Sequence, residues 1–231
     1  GQAGLSGGAE DPLNTQEQAP AKINLALDIL GRRTDGYHEL RMVMQAISLC
    51  DTVTAAEGGS GFHLLADGFA VPEGKKSLEQ QAAEAFFATI GRPMPPLTVH
   101  LKKVTPAYAG LGGGSADVAA LLRCLRRQYA PEMTAEELRA IGLTVGSDVP
   151  FCVSGGTALT EGRGERLTML PGLPDCRIVL CKPDFGIPTP ALFARADGVR
   201  LSRRPDVDGM VQALAEGNLE GIASRLCNVF E

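Results

Sequence analysis

The stretch Gly110-Leu111-Gly112-Gly113-Gly114-Ser115-Ala116-Asp117 separates a predicted strand from a predicted helix. Glycines allow backbone N–H groups to approach an anion without a side chain in between. The helix that follows adds the positive end of its dipole. Glycine is also the default residue of a sharp turn, so this stretch alone leaves phosphate binding and a plain turn both open.

The flanking segments place this glycine loop at the N-terminus of a helix. Residues 97–101 form a short apolar run after a proline-rich approach, which predicts a strand. Residues 115–129 carry apolar side chains at helical spacing. These side chains are Val118, Leu121, Leu122 and Leu125. A further helix is predicted over residues 78–90, and a hairpin over residues 158–170 with its turn at 162–164.

Two widespread nucleotide motifs do not fit the loop. A P-loop requires Gly-Lys-Ser or Gly-Lys-Thr at its end, and none follows here. A dinucleotide-binding loop requires an early βαβ unit with an acidic residue about 20 positions further on, which this chain lacks. The loop therefore indicates another nucleotide-binding geometry.

A second segment, Val145-Gly146-Ser147-Asp148-Val149-Pro150-Phe151, sets one carboxylate in apolar surroundings. Asp148 suits a helix cap or a turn. It also suits a catalytic base, since phosphoryl transfer needs a group that orients and deprotonates the attacking hydroxyl. The segment alone leaves both interpretations open.

A third segment, residues 19–30, alternates polar and apolar side chains and predicts a strand. The alternation puts Lys22 and Asn24 on one face. A lysine on such a strand is usually solvent-exposed, but an ammonium beside Asp148 would complete the charge arrangement for phosphoryl transfer.

These three segments occur in an order that resembles the GHMP kinases. Within that superfamily the chain is similar to the 4-diphosphocytidyl-2-C-methyl-D-erythritol kinase family, and the discriminating stretch is Gly31-Arg32-Arg33-Thr34-Asp35-Gly36-Tyr37-His38-Glu39-Leu40. Further support comes from three more segments: Gly155-Gly156-Thr157-Ala158, Glu161-Gly162-Arg163-Gly164-Glu165 and Ile187-Pro188-Thr189-Pro190. The resemblance runs from about Ala19 to the end of the chain.

The resemblance implies an α+β fold in two domains, with the active site between them. Residues 1–18 are expected to be a disordered tail or a cloning remnant, because they lack apolar periodicity. Residues 19–172 are expected to form the catalytic and ATP-binding domain with a mixed sheet. Residues 173–231 are expected to form a partial ferredoxin-like domain that opens with an inward-facing strand at 177–181, between Cys176 and Cys181.

The resemblance also implies roles for individual residues. Asp148 takes the proton from the substrate hydroxyl, Lys22 lowers the pKa of that hydroxyl, and Asn24 places the substrate. Tyr37 and Phe193 stack on the two faces of the cytosine. His38 supplies polar contacts to the base, and Thr189 contacts the phosphorylated end of the substrate. The implied reaction is ATP-dependent phosphorylation of the 2-hydroxyl of 4-diphosphocytidyl-2-C-methyl-D-erythritol, a step of the non-mevalonate isoprenoid pathway.

ATP is the implied co-substrate, and Mg2+ is required to neutralise its phosphates. The implied phosphate-binding residues are Gly110, Leu111, Gly112, Gly113, Gly114 and Ser115, and Ser115 is also the candidate metal ligand. Three positions depart from the pattern. Ala116 stands where many relatives have a second serine, and Ser77 and Gln81 stand where an asparagine and a basic residue are more familiar near the adenine.

The charge and cysteine content limit the kinds of partner that this protein is expected to bind. The formal net charge of −5 offers no overall positive field for nucleic acid or an anionic membrane. The basic cluster of Arg123, Arg126 and Arg127 is interpreted as a solvated helix face. The six cysteines lack Cys-x-x-Cys spacing and fit reduced thiols in a cytoplasmic protein. We therefore expect a small-molecule substrate and neither a nucleic acid nor a membrane partner.

Alternatives remain at this stage. One is another GHMP kinase, although Tyr37 and His38 suit a nucleobase. The other is a nucleotide-binding fragment without turnover, since family members continue past residues 228–231 into a third glycine-containing motif. On that expectation the second domain exposes an open edge or an apolar patch, and a longer chain is more active.

Overall fold

Two long antiparallel strands form the backbone of the fold. A computed structural model describes residues 14–68, 75–182, 184–186, 189–196 and 203–230. Strand β1 (Asn14–Arg32) pairs with β2 (His38–Glu57) along its whole length, from Asn14 opposite Ala56 to Arg32 opposite His38. The register shifts at three places along β1, which are β-bulges or irregularities.

Within the described residues, five shorter strands complete one mixed sheet. They are β3 (Phe62–Asp67), β4 (Leu97–Lys102), β5 (Thr157–Gly162), β6 (Arg166–Leu170) and β7 (Cys227–Asn228). The sheet runs β3-β4-β2-β1-β7, and β5 extends it from the first half of β2 and pairs in turn with β6. Most pairs are antiparallel, but β3–β4 and β1–β7 are parallel. The predicted strand at 97–101 and the predicted hairpin are confirmed as β4 and as β5–β6.

In the part of the chain that the structure describes, four helices cover one face of the sheet. They are α1 (Leu78–Thr89), α2 (Gly113–Tyr129), α3 (Ala135–Leu143) and α4 (Val149–Ser154). Helix α2 lies at the centre because its apolar side is fully buried: Val118, Leu121, Leu122 and Leu125 are all inaccessible. The predicted helices at 78–90 and 115–129 are thus confirmed. The main core lies between α2 and the sheet.

The opposite face of β1 and β2 is covered by segments from the end of the chain. Phe193 of α5 (Thr189–Ala196) packs against the main core, whereas α6 (Val207–Ala215) and α7 (Leu219–Ser224) contribute to this second layer. Met210 and Leu214 of α6 pack with Leu25, Ala26 and Val43 in a second apolar cluster. The predicted domain boundary between 172 and 173 stays a prediction, and β7 beyond it pairs with β1.

The expected tail is partly wrong. Residues 1–13 lie outside the described residues, but 14–18 are the first part of β1. Glu17 pairs there with Arg127 and, at 3.3 Å, with Arg123, which also donates to the carbonyls of Gln18 and Cys152. A polar segment can form a strand when backbone hydrogen bonds and side-chain ion pairs stabilise it, and such a strand cannot be predicted from apolar periodicity. Arg123 is only 19% exposed and therefore does not lie on a solvated face, whereas Arg127 is 61% exposed despite its pair with Glu17.

The inward-facing strand at 177–181 is also wrong. These residues have no regular structure, and Ile178, Val179 and Leu180 are exposed, Val179 by 92%. Cys176 and Cys181 are exposed and free. A short apolar run predicts a strand only if a neighbouring strand pairs with it, and the described residues offer none here.

No helix in the described ranges is long and apolar enough to cross a bilayer.

Candidate active site

The glycine loop between Tyr108 and helix α2 contains two glycines in the left-handed conformation. Gly110 and Gly112 have φ values of +72° and +67°, which favour glycine. Gly112 is the N-cap of α2, and no side chain caps the helix. Since an N-cap side chain is absent, the N–H groups of the first turn are available to an anionic ligand.

Lys22 locks the loop against β1. Its N–H donates to the carbonyl of Leu111 at 2.8 Å. A Cβ on Gly112 would stand only 2.8 Å from the Lys22 Cγ and 3.0 Å from its Cε. The lysine stem therefore lies directly on the backbone of Gly112, and a larger residue there would displace it.

Lys22 and Asp148 form an ion pair beside the loop. The Lys22 Nζ lies 3.2 Å from the Asp148 Oδ2, and the two side chains are 8% and 33% exposed. Asp148 stands at the N-cap of α4, but its side chain makes no capping hydrogen bond. The cap interpretation of this side chain is therefore wrong, and the carboxylate is directed to the lysine.

Asn24 follows Lys22 by two residues on β1 and lies on the same side of the strand. Its Oδ1 is buried and has no hydrogen-bond partner among the described residues. A buried unpaired amide oxygen is costly unless a ligand or water satisfies it. Asn24 can therefore accept a hydrogen bond from a hydroxyl near the Lys22–Asp148 pair.

Ser115 lies in the first turn of α2 and connects the loop to the segment that carries Asp148. A Cβ on Gly146 would stand 3.8 Å from the Ser115 Oγ and 3.3 Å from Val149. Leu78, at the start of α1, lies 3.9 Å from a Cβ placed on Gly114. The starts of α1 and α2 and the approach to α4 thus meet around the loop.

Ser77 and Gln81, the two departures near the nucleotide, have structural contacts. The Ser77 hydroxyl caps α1 by accepting the N–H of Gln80 at 3.1 Å. The side chain of Gln81 donates to the carbonyl of Lys76 at 3.2 Å. Ala116 is buried in the core at 1% exposure. Whether these three residues affect ATP binding stays a prediction.

The aromatic residues proposed for cytosine lie at the β1–β2 turn and on α5. Tyr37 is 49% exposed, and the guanidinium of Arg163 lies 4.7 Å from its ring centroid. His38 stacks on Phe193 with centroids 4.9 Å apart, and Phe193 meets Phe230 edge-on. The prediction that Tyr37 and Phe193 stack on the two faces of the cytosine stays a prediction, and in this structure the ring of Phe193 stacks on that of His38.

Thr189 is the first residue of α5, and its side chain lies outside the described residues. The role predicted for it therefore stays a prediction.

The hairpin turn between β5 and β6 links Tyr37 to the Asp148 segment. Arg163 in this turn contacts Tyr37, and its N–H donates to the carboxylate of Glu165 at 2.7 Å. Gly164 has a φ of +118°, and a Cβ there would stand 2.8 Å from the carbonyl oxygen of Ser147. The turn thus packs against the residue that precedes Asp148.

A buried cluster beneath the loop was missed from the sequence. The Lys103 Nζ lies 2.5 Å from both the Asp51 Oδ2 and the Asp117 Oδ2. Burial raises the pKa of Asp51, but the hydrogen bonds from Lys103, Thr105 and Val104 outweigh it and hold the pKa below its usual range. Burial raises the pKa of Asp117 to about 7 despite Lys103. Lys103 and Asp117 lie 52 and 66 positions after Asp51, so no local sequence pattern predicts their contact and only the folded structure shows it.

The described residues contain no group of three or more His, Cys, Asp or Glu that could hold a metal. Mg2+ that arrives with a nucleotide needs few protein ligands, because phosphates and water fill most of its octahedral shell. The Ser115 hydroxyl, in the first turn of an uncapped helix, is an oxygen donor of the required kind. The residues present therefore fit a nucleotide-borne Mg2+.

The mixed sheet, the glycine loop at the start of α2 and the Lys22–Asp148 pair define a kinase of the GHMP class. The family model described as "GHMP kinases N terminal domain" matches residues 77–156. That span contains the loop and Asp148 but not Lys22.

Longer matches narrow the assignment. The 4-diphosphocytidyl-2-C-methyl-D-erythritol kinase of Clostridium acetobutylicum is 37% identical over 214 residues, which cover 93% of this chain and 76% of that protein. The kinase of the same name from Carboxydothermus hydrogenoformans is 42% identical, covering 92% and 74%. A crystal structure of 4-(cytidine 5'-diphospho)-2C-methyl-D-erythritol kinase superposes with a TM-score of 0.67 at 34% identity, covering 92% and 78%. The chain belongs to the 4-diphosphocytidyl-2-C-methyl-D-erythritol kinase family.

Proposed function

We propose that this chain transfers the γ-phosphate of ATP to the 2-hydroxyl of 4-diphosphocytidyl-2-C-methyl-D-erythritol, a step in isoprenoid precursor synthesis. The observation that carries the proposal is the Lys22–Asp148 pair, held at 3.2 Å beside an uncapped glycine loop. Family membership supplies the substrate, since the relatives named above carry this activity in their names.

Asp148 acts as the base in this proposal. Its carboxylate makes no capping bond and is one-third exposed, so a substrate hydroxyl can reach it. The ammonium of Lys22 lies within hydrogen-bonding reach of the same point and favours the alkoxide as it forms. Asn24 orients the hydroxyl, and this use would satisfy its buried Oδ1.

The ATP phosphates bind at residues 110–115 in this proposal. Backbone N–H groups and the dipole of α2 stabilise the anion, and Ser115 contributes its hydroxyl to the phosphates and to Mg2+. Mg2+, when bound, neutralises part of the phosphate charge. The three consecutive glycines allow this close approach, and Gly112 is fixed by the stem of Lys22.

The cytidylyl end binds near the β1–β2 turn. Tyr37 offers a half-exposed ring for stacking, and Arg163 covers part of that ring. His38 and Phe193 form an adjoining stacked pair that can supply a polar contact and a second aromatic surface. Thr189, the first residue of α5, contacts the phosphorylated end of the substrate in this proposal.

The test is to measure ATP turnover with and without the cytidylyl substrate and to locate the new phosphate by 31P NMR. The proposal expects turnover that depends on the substrate and a monophosphate ester on the 2-hydroxyl. Matched assays with 2-C-methyl-D-erythritol 4-phosphate, homoserine and mevalonate separate the cytidine-dependent activity from other kinase activities. Equal rates on a substrate that lacks cytosine would contradict the specific assignment.

A further inference from the structure

Three charged side chains from different parts of the sequence meet beneath Gly113. Asp51 belongs to β2, Lys103 directly follows β4, and Asp117 lies in the second turn of α2. The Lys103 Nζ is 2.5 Å from a carboxylate oxygen of each aspartate. The side chains of Asp51 and Asp117 are 0% and 2% exposed, and that of Lys103 is 19% exposed. The three side chains therefore form a largely buried ion-pair cluster in which Lys103 links the two aspartates.

Asp51 fixes the backbone that leads into the loop. Its Oδ1 accepts the N–H groups of Val104 at 2.5 Å and Thr105 at 2.7 Å, while its Oδ2 accepts Lys103. One buried carboxylate thus holds three successive residues. Removing such a carboxylate would leave buried donors unpaired, so Asp51 stabilises the observed position of residues 103–105.

Gly113 rests on this fixed segment. A Cβ at Gly113 would stand 3.1 Å from the Thr105 Cγ2 and 3.4 Å from the Lys103 Nζ. Gly113, the first residue of α2, therefore packs directly against Lys103 and Thr105, with no room for a side chain between them. The direction of the Gly113 backbone, and of the N–H groups beside it, therefore depends on where Lys103 stands.

Asp117 joins the second side of the loop to the same lysine. It is 14 residues from Lys103, so their ion pair closes the segment that contains the whole glycine loop. The Asp117 Oδ1 has no partner among the described residues, and its Oδ2 is bonded to Lys103. The side chain therefore has one identified contact, and that contact ties α2 to the strand side of the loop.

We propose that Asp117 is a positioning residue for the nucleotide phosphates, acting through Lys103 on the glycine loop. The inference rests on the proposed function, because it takes the loop to be the ATP site. Asp117 touches neither substrate nor ATP. Its loss lets Lys103 and Gly113 shift and weakens ATP binding, while the Lys22–Asp148 pair and the Tyr37 surface stay in place.

The experiment compares Asp117→Ala and Asp117→Asn with the unmodified protein. Asp117→Ala removes the contact to Lys103, and we expect the KM for ATP to rise about tenfold or more. Asp117→Asn keeps an oxygen that accepts the Lys103 hydrogen bond, so its KM for ATP should rise less. In both variants kcat at saturating ATP and the KM for the cytidylyl substrate should change less than about threefold.

The matched control is Asp28→Asn. Asp28 is another buried carboxylate, 7% exposed and paired with Arg204 at 2.9 Å, but it lies on β1 six residues beyond Lys22. This control should lower the melting temperature without raising the KM for ATP. A general loss of stability is thereby separated from an effect on the loop.

Several results would overturn the proposal. One is a rise of both KM values by the same factor, and another is a lower melting temperature with an unchanged KM for ATP. If Asp117→Ala does not fold, Asp117→Asn decides by the same criteria. Equilibrium binding of ATP, measured by calorimetry, gives the same comparison without turnover. A wild-type protein that binds ATP but ignores the cytidylyl substrate would refute the proposed function and still test Asp117, whereas a wild-type protein that does not bind ATP would refute both.

Discussion

Asp148 shows how one residue can have two sequence interpretations that only its contacts separate. It stands at an N-cap position, where aspartate usually accepts backbone N–H groups. In this protein its side chain makes no such bond and pairs with Lys22 instead. A helix of six residues with Pro150 in its first turn has fewer N–H groups to cap, so the side chain of Asp148 can pair with Lys22.

Replacing the carboxylate of Asp148 by an amide tests its role as a base. Asp148→Asn should lower kcat by about 100-fold to 10,000-fold, the usual range for a lost general base, and leave ATP affinity almost unchanged. Steady-state kinetics and nucleotide binding by calorimetry measure the two effects. Asp184→Asn, a change at an exposed aspartate, is the control and should be neutral. An unchanged rate in Asp148→Asn would remove this residue from the mechanism.

Tyr37 is the residue-scale test of cytosine recognition. Base stacking on an aromatic ring is worth roughly 1 to 3 kcal/mol in single-stranded nucleic acid complexes, so Tyr37→Ala should raise the KM of the cytidylyl substrate severalfold or more. Tyr37→Phe keeps the ring and should stay near the wild-type value. Initial-rate measurements at saturating ATP provide the comparison. Equal KM values for all three proteins would assign cytosine to a different surface.

At the scale of secondary-structure elements, the β5–β6 hairpin connects two parts of the site. Its turn contacts Tyr37 through Arg163 and Ser147 through Gly164. Ser147 directly precedes Asp148, so the position of the turn influences the carboxylate. The arrangement couples the proposed substrate platform to the proposed base through one short element.

Gly164→Ala tests this element. A Cβ would meet the Ser147 carbonyl oxygen at 2.8 Å, and a φ of +118° strains any residue with a Cβ. We expect kcat to fall about tenfold or more, because a shift of about 1 Å in a catalytic group can cost up to about a hundredfold. Gly172→Ala is the matched control, since nothing lies within 4 Å of its Cβ position and its φ is not positive.

The kinetic comparison of the two glycine variants is accompanied by melting curves. If Gly164→Ala lowers the melting temperature but retains wild-type kcat at a temperature where it is folded, the hairpin turn has no influence on Asp148. Gly172→Ala should match the wild type in both measurements.

At the scale of the whole molecule, the free energy of unfolding should depend on pH because of the Asp51–Lys103–Asp117 cluster beneath the glycine loop. Two carboxylates share one ammonium, and Asp51 also receives two backbone hydrogen bonds, so Asp117 is the one that binds a proton. Burial raises the pKa of Asp117 to about 7, with Glu79 and Asp51 adding to the effect and Lys103 opposing it. Between pH 4 and 7 the folded state therefore binds a proton that the unfolded state releases.

The difference in proton binding between the folded and unfolded states sets the direction in which stability changes with pH. A group protonated only in the folded state makes stability fall as pH rises, here between about pH 4 and pH 7, by at most about 1.4 kcal/mol per pH unit. Asp51 has a lowered pKa and acts in the opposite direction, but only below about pH 4. Asp117→Asn removes the first effect. Its melting temperature relative to wild type, measured by calorimetry from pH 5 to 8, should therefore increase with pH. A constant difference would contradict the raised pKa.

Local patterns were sufficient for much of this protein. The glycines at 110–114 and the helical spacing after them each depend on residues a few positions apart, and the predicted helix does follow the glycine loop. The order of the three motifs indicated the family, because a motif records the backbone geometry that its chemistry requires.

Contacts between distant segments required the tertiary structure. Lys22 and Asp148 are 126 positions apart, and the Asp51–Lys103–Asp117 bridge combines three elements that no sequence pattern relates. The strand at 14–18 is polar and is held by Glu17 with Arg123 and Arg127, so hydropathy could not reveal it. The apolar run at 178–180 is exposed despite its composition. Local propensity acts over a few residues, whereas ion pairing, strand pairing and burial depend on which segments the fold brings together.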